Sequence, residues 1–259
     1  MGTHPNGQAV IVDPVVSAVT PTLQSLIASN PAAHLGEKTA SRFQGQLPFL
    51  FKVLSVRTAL SIQAHPDKAL AARLHAAQPG LYKDANHKPE MAIATTDFEA
   101  LCGFRPLRDI VEILEALQPD INGVLDVAVV QRAREVVNSG GDRKQSLREI
   151  LEAVMRCPED RVHRTLDAVV ARLSNPAEQW PAAIEDVKAP FFQILQDFPG
   201  DAGSLCVFLL NYLKLAPGQA VYLGANEPHA YLSGGTPSPL TTPPFLSCTF
   251  LAAPLFAPR

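Results

Sequence analysis

Short apolar runs, broken by Pro, Gly and Asn, dominate residues 1–105 of the chain. The clearest is LPFLFKVLSV, which predicts a strand, and EMAIATT, beginning at Glu90, predicts another. Between them, HPDKALAARLHAA predicts a short helix with Pro66 in its first turn and Asp67 close behind, both favourable at a helix start. This region therefore predicts strands with tight connections and a few short helices.

The hydrophobic period changes over residues 106–199. Apolar residues recur there at helical spacing in two consecutive segments: Leu147, Ile150, Leu151 and Val154, then Val162, Leu166, Val169, Val170 and Leu173. The spacing predicts amphipathic helices joined by loops such as NSGGD and CPED. Packing of one helical face on its neighbour accounts for the whole pattern, so we predict no chemistry in this region.

Strand-like patterning returns from residue 200. LCVFLLNYLKL predicts a buried strand, since it is too short to span a bilayer and contains Lys214. Pro217-Gly218 predicts a turn, and AVYLG after it a strand. After Gly235 the sequence TPSPLTTPPFLSCTFLAAPLFAPR is dense in proline, which sheet strands do not tolerate, and an irregular tail is expected.

The order of these regions predicts a helical insertion within a discontinuous β unit. We expect residues 1–105 to form the first part of that unit, 106–199 the helical insertion, 200–235 the remainder of the β unit, and 236–259 an atypical Pro-rich tail.

Composition narrows the class of protein. With 259 residues and a net charge of −3, the chain can bury a substantial core, and it has no basic run for nucleic acid or a membrane surface. Four widely spaced cysteines without a CxxC pair favour reduced thiols in a cytoplasmic protein. The N-terminus lacks the pattern of a signal peptide, and Asn6 stands where a myristoylation motif has Ser or Thr.

Candidate chemistry begins in SIQAHPDK. If this stretch is extended, Gln63 and His65 share a face. Glu90 follows a proline at a strand start, and His229 in NEPHAY follows a turn and a strand. An amide oxygen, two imidazoles and a carboxylate suit zinc or a similar divalent ion with open positions.

Simpler interpretations of these residues stay open. A Q-x-H pair is also typical of an ordinary hydrogen-bonded pair. His87 competes with His65 as a ligand, or makes a turn contact beside Lys88.

Several longer motifs bear on the choice. GQLPFLFKVLSVRTALSIQAHPDK and LYKDANHKPEMAIATTDFEALCGFRP closely resemble the type I mannose-6-phosphate isomerases (phosphomannose isomerases). MGTHPNG at the start and LNYLKLAPGQAVYLGANEPHAYLSG near the end fit the same family, so the resemblance runs from residue 1 to about residue 235. It implies a mainly β fold with an α insertion, that is, a cupin-type (jelly-roll-like) β-barrel plus a helical domain.

The resemblance also implies a site. A single zinc ion per chain would be held by Gln63, His65, Glu90 and His229. The implied reaction interconverts mannose 6-phosphate and fructose 6-phosphate through an enediol, supplying mannose for GDP-mannose synthesis and glycosylation. Lys52, Ser61 and Lys88 would line the pocket for this sugar phosphate, with Lys88 also a proton-transfer group. The resemblance further implies a cytoplasmic monomer.

The chain departs from the family at both ends. Family members begin some tens of residues earlier and continue past PHAYLSG into a segment resembling D-N-V-x-R-A-G-L-T-x-K and a further β-barrel. We therefore expect a chain truncated at both ends, with an incomplete fold and without the arginine that the family uses in catalysis.

Two alternatives follow. The chain is an inactive product that keeps at most a metal-binding cupin site, or it is an unrelated cupin such as a metal-dependent oxygenase. Lys88 and the QAHPDK context count against the oxygenase.

Overall fold

Among the residues that the structure describes, the strands form two antiparallel sheets. A computed structural model describes residues 2–3, 8–12, 21–82, 85, 87–234 and 245–249. One sheet has the strand order β1-β7-β2-β5 and the other the order β4-β3-β6. The strands are β1 (Leu50–Leu54), β2 (Glu90–Ile93), β3 (Phe98–Phe104), β4 (Leu210–Leu215), β5 (Ala220–Leu223), β6 (His229–Gly234) and β7 (Phe245–Thr249).

Helices precede β1, follow it, and fill the connection from β3 to β4. The helices are α1 (Leu23–Ser29), α2 (Pro31–Leu35), α3 (Glu37–Arg42), α4 (Lys68–Ala77), α5 (Leu107–Ala116), α6 (Val127–Ser139), α7 (Arg143–Met155), α8 (Glu159–Leu173) and α9 (Ala182–Asp197), with 3₁₀ helices at Asp120–Gly123 and Ala202–Phe208. Helices contribute more of the described residues than strands do, and those from α5 to α9 form an insertion in the β unit between β3 and β4, as predicted. Within the described ranges, no helix is long and apolar enough to cross a membrane.

The predicted helical periodicity is confirmed in α7 and α8. Ile150 and Val154 are buried in α7, and Val162, Leu166, Val169 and Leu173 are buried in α8. They belong to a large apolar cluster that joins helices α5 to α9 to one face of the sheet β4-β3-β6. Burial of one stripe per helix is therefore what stabilises this region.

Strand alternation divides β6 between two environments. Ala230 and Leu232 face the helices, within the large cluster. Tyr231 lies in a second, smaller cluster shared by the two sheets, whose other buried members are Val56, Ala92, Ala94, Phe98, Ala100 and Leu223. Because side chains alternate along a strand, His229 shares its face with Tyr231 and lies between the sheets.

The single strand predicted for LCVFLLNYLKL is wrong in its first half. Residues Ala202–Phe208 form a 3₁₀ helix, and β4 begins only at Leu210. The Asp201 carboxylate starts the 3₁₀ helix by accepting a hydrogen bond from Gly203 N at 2.6 Å. Ser204 and every later residue of this helix are buried, and a continuous apolar run does not distinguish a buried helical turn from a strand.

Two smaller expectations are also corrected. Pro66 lies outside α4, which begins at Lys68, because Asp67 caps the helix by accepting from Leu70 N at 2.8 Å. Within the tail 236–259, expected to be irregular, Phe245–Thr249 forms β7 between β1 and β2. These five residues contain no proline, so their backbone amides are free to pair. The rest of the tail lies outside the described residues, and the domain boundaries stay predictions.

Candidate metal centre

The segment that carries Gln63 lies along the edge of β6. We call residues 56–63 the bridging segment. It is joined to β6 by the isolated bridges Val56–Gly234 and Gln63–His229, and by Leu60 N donating to Tyr231 O at 2.8 Å. Gln63 therefore belongs to a separate extended segment beyond β1, which ends at Leu54.

Gln63 and His229 are directly opposite one another. Each backbone N–H donates to the carbonyl of the other at 2.8 Å. Side chains of such an antiparallel pair project from the same face with their Cβ atoms about 5 Å apart. The pairing therefore places the Gln63 side chain on the side of the sheet that carries the His229 imidazole.

Three of the four predicted ligands come together. One donor atom each from His65, Glu90 and His229 lie within 4.8 Å of one another, the only such group among the described residues. His65 Nε2 is 3.2 Å from Glu90 Oε1, and His229 Nε2 is 3.7 Å from Glu90 Oε2. Donor atoms about 2 Å from a tetrahedral zinc lie roughly 3.3 Å apart, so the group fits such an ion with little movement.

The His229 ring is oriented by a hydrogen bond to the backbone just before β6. Its Nδ1 is 2.9 Å from the carbonyl oxygen of Glu227. Because a carbonyl only accepts, Nδ1 carries the proton, and in the neutral ring Nε2 keeps its lone pair. Nε2 is the ring nitrogen that lies near Glu90, so its lone pair is available to a metal ion bound beside that carboxylate.

His65 offers a second sign that the group suits a cation. Its Nε2 is buried and makes no hydrogen bond of acceptable direction, although Glu90 Oε1 is only 3.2 Å away. A buried nitrogen aimed at a carboxylate without a hydrogen bond is costly by itself. A divalent cation held by His65 and Glu90 would satisfy both side chains.

The Glu90 carboxylate is held ionised. Burial opposes its charge, but the close approach of His65, the Tyr231 hydroxyl and the charge of the nearby histidines outweigh burial and lower its pKa. Tyr231 donates its O–H to Glu90 Oε2 at 3.0 Å. Glu90 is therefore an acceptor-only group at neutral pH, which is the state that ligates metals.

The loops before α4 and β6 are tied together around this cluster. Asn226 N donates to the carbonyl of His65 at 2.7 Å, and Asn226 Nδ2 donates to Asp67 Oδ2 at 3.1 Å. Asn226 adopts a φ of 63°, a conformation that Asn tolerates better than most residues. The backbone of His65 is thus fixed relative to the turn that leads to His229.

The predicted pocket residues lie on the same segments as the ligands. Lys52 is exposed in β1, two positions from Leu54, which packs against the cluster between the sheets. Ser61 is exposed two positions before Gln63, and Lys88 is half-buried two positions before Glu90. These placements agree with a pocket beside the ligands, but the roles of the three residues stay predictions.

His87 does not join the donor group. Burial, followed by the positive charge of Lys68, lowers its pKa, while Asp67 acts in the opposite direction. Its ring is therefore near the start of α4, and its buried Nε2 has no hydrogen-bond partner. Of the two histidines that compete for the ligand position, the structure brings His65 into the cluster.

Several supporting residues escaped the sequence analysis. Tyr231, Asn226 and Asp67 make the hydrogen bonds that position the ligands. For Tyr231 a signal existed, because it lies two positions after His229, and the two side chains share a face if that stretch is extended. The contact between Asn226 and Asp67 joins distant parts of the chain and left no local pattern.

The facing sheets, the inserted helices and the His–Glu–His group define a cupin-type protein with a candidate metal site. A family model described as phosphomannose isomerase type I, catalytic domain, matches residues 1–107. A second, described as phosphomannose isomerase type I, helical insertion domain, matches residues 124–210. The chain belongs to the type I phosphomannose isomerase family.

Individual relatives agree with this assignment. The chain is 44% identical over 250 residues to a probable mannose-6-phosphate isomerase of Echinococcus multilocularis, and 43% identical over 235 residues to mannose-6-phosphate isomerase of Rattus norvegicus. Each match covers 90% of this chain and 55% of the relative, so the chain spans about half the length of these relatives.

Solved structures show the same fold. A zinc-bound mannose 6-phosphate isomerase superposes with a TM-score of 0.75 at 31% identity, covering 96% of this chain and 58% of that one. A variant of phosphomannose isomerase from Salmonella typhimurium superposes with a TM-score of 0.76 at 30% identity and the same coverage.

Proposed function

We propose that this chain carries the metal site of a zinc-dependent aldose–ketose isomerase that interconverts mannose 6-phosphate and fructose 6-phosphate. The observation that carries the proposal is the group of His65, Glu90 and His229, with donor atoms within 4.8 Å, in a member of this family. Zinc in a homologous solved structure supports the choice of metal.

The metal would be held by four residues. His65 and His229 supply neutral imidazole nitrogens and Glu90 supplies a carboxylate, while Gln63 is on the face that His229 shares. Bound there, zinc would act as a Lewis acid that polarises the sugar oxygens at C1 and C2. Nitrogen and oxygen donors with open positions are typical of catalytic zinc.

The remaining roles belong to the two lysines and a serine. In this proposal Lys88 Nζ takes the proton from C2 of the open-chain aldose and returns it to C1, while the proton of the C2 hydroxyl passes to the oxygen at C1, which completes the change from aldose to ketose. A water molecule is the alternative proton carrier. Lys52 and the Ser61 hydroxyl would anchor the phosphate by charge and by hydrogen bonding.

A second candidate function is metal binding without turnover. The donor atoms of His65, Glu90 and His229 already lie close enough together to hold an ion. Turnover would further need Lys52, Ser61 and Lys88, whose roles rest on their positions in family motifs. That difference favours metal binding as the function that needs the fewest further residues.

The cellular setting is proposed on narrower grounds. We propose a cytoplasmic monomer that supplies mannose for GDP-mannose synthesis and glycosylation. Among the described residues, Cys102, Cys157 and Cys206 are free thiols, which suits a reducing compartment.

The test is turnover of mannose 6-phosphate by the purified chain with zinc, with a chelator as control and the rat relative as reference. Turnover that the chelator abolishes supports the isomerase. Stoichiometric zinc without turnover supports the second candidate. A folded chain that neither binds zinc nor turns over substrate overturns both.

A further inference from the structure

Helix α9 presents two polar side chains to the β unit from one face. Gln193 and Asp197 are four residues apart and therefore neighbours on the helix surface. Gln193 Nε2 donates to the carbonyl of Leu232 at 2.9 Å, and Asp197 Oδ2 accepts from Ala59 N at 2.8 Å. The first bond reaches β6 and the second reaches the bridging segment.

The two backbone groups that these bonds reach, the Leu232 carbonyl and the Ala59 N–H, lie close in sequence to the proposed metal ligands. Leu232 is in the strand that begins with His229, and Ala59 precedes Gln63 in the bridging segment. One face of α9 is thus hydrogen-bonded both to β6 and to the bridging segment, the two segments in which His229 and Gln63 pair. The spacing between β6 and the bridging segment is therefore fixed by two kinds of contact. One is their own backbone hydrogen bonds, and the other is the pair of hydrogen bonds from α9.

The position of Asp197 is unexpected for helix stability alone. It is the last residue of α9, where the negative end of the helix dipole disfavours a carboxylate. Ala59, in contrast, is buried at 4% exposure, and a buried backbone N–H requires a partner. The carboxylate is therefore explained by the segment it contacts rather than by the helix that carries it.

We propose that Asp197, assisted by Gln193, is a positioning residue of the metal centre: through Ala59 it holds the bridging segment against β6, so that Gln63 stays opposite His229. The helical insertion then forms part of the outer support of the site. The inference rests on the proposed zinc site and adds a residue that touches neither metal nor substrate.

The test is zinc affinity, measured by competition with a chromophoric chelator on the full chain. Asp197→Ala removes the acceptor, and we expect zinc to bind about tenfold more weakly, at the lower end of the losses seen for supporting residues. Asp197→Asn keeps an oxygen that accepts from Ala59 N–H, and it should restore most of the affinity. Thermal unfolding with excess chelator measures the stability of each variant without metal.

Asp142→Ala is the matched control. Asp142 caps α7 by accepting from Gln145 N at 3.0 Å, a carboxylate-to-backbone bond of the same kind within the helical insertion. Its loss should lower stability and leave zinc affinity unchanged. Should Asp197→Ala fail to fold, Gln193→Met replaces it, since this variant keeps the side-chain length and removes the donor; a several-fold weaker affinity is expected.

The outcomes separate the two proposals. If His229→Ala binds zinc as well as the unaltered chain, the proposed site itself is wrong. If His229→Ala loses zinc while Asp197→Ala, or Gln193→Met in its place, binds zinc as tightly as the unaltered chain, the positioning role is overturned. Weaker binding in Asp197→Ala, rescued in Asp197→Asn and absent in Asp142→Ala, supports it.

Discussion

The helical insertion and the β unit are built on opposite principles. The insertion buries large side chains, such as Phe191, Ile184 and Leu173, in one continuous apolar cluster. The cluster between the sheets is small and rich in alanine, at Ala92, Ala94 and Ala100, and it adjoins the ionised Glu90 and the histidines. Small side chains leave room for polar ones, so the region with the smaller apolar core is the one that holds the candidate metal site.

The largest effect is expected from removing volume in the helical insertion. Phe191 is fully buried, and its ring lies 5.2 Å from that of Phe208 and 5.5 Å from that of Phe192. Phe191→Ala should lower the free energy of unfolding by about 3–5 kcal/mol, because a cavity adds to the lost burial. Urea denaturation measures the change, with the exposed Val127→Ala as control; equal losses in both would contradict the account.

A smaller loss of stability is expected from adding volume to the β unit. A Cβ at Gly234 would lie 2.5 Å from Phe98 Cδ2, in the small cluster. Gly234→Ala should destabilise the protein by about 1–3 kcal/mol through overpacking. Gly80→Ala is the control, since nothing lies within 4 Å of its Cβ position. A Gly234→Ala protein as stable in urea as the control would show that the cluster has spare room.

A change in zinc affinity is expected at the hydrogen bond that Tyr231 donates to Glu90. Tyr231→Phe removes the O–H that binds Glu90 Oε2 at 3.0 Å and keeps the ring against Phe98. We expect about tenfold weaker zinc binding, because the carboxylate loses its orientation. Tyr222→Phe, altering a ring that is 53% exposed, is the matched control in the same chelator competition. Unchanged affinity in Tyr231→Phe would remove Tyr231 from the site.

The smallest effect is expected in the reactivity of Cys206, a thiol buried in the large apolar cluster. Burial raises the pKa of the Cys206 thiol to about 12. Because the thiolate is the reactive form, alkylation of Cys206 by iodoacetamide at pH 8 should be slow in the folded protein and fast in urea. Mass spectrometry after a timed pulse gives the modified fraction, and equal modification with and without urea would place Cys206 at the surface.

Sequence periodicity was sufficient for the insertion and insufficient for the details of the β unit. Amphipathic spacing predicted α7 and α8 because one buried stripe per helix determines them. The first half of the run that ends in β4 was assigned wrongly because residues 205–210 are all apolar and buried, which leaves no period that distinguishes a helical turn from a strand. The strand Phe245–Thr249 was missed because the surrounding prolines dominated the pattern.

The sequence analysis named the candidate ligands of the site and missed the residues that support them. His65, Glu90 and His229 stand in motifs that resemble the family, and the structure brings them together. Asp197 and Ala59 are 138 positions apart, and a single carboxylate bonded to one backbone N–H leaves no local pattern in the sequence. Contacts of this kind depend on how the insertion packs on the sheet, which only the folded chain defines.

Zinc content tests most directly whether His65, Glu90 and His229 form a metal site. The purified chain and its Glu90→Ala variant would be dialysed against limiting zinc and analysed by atomic emission. We expect about one zinc per folded chain and almost none in the variant, because the variant loses the only carboxylate of the group. Equal zinc content in the two folded proteins would contradict it.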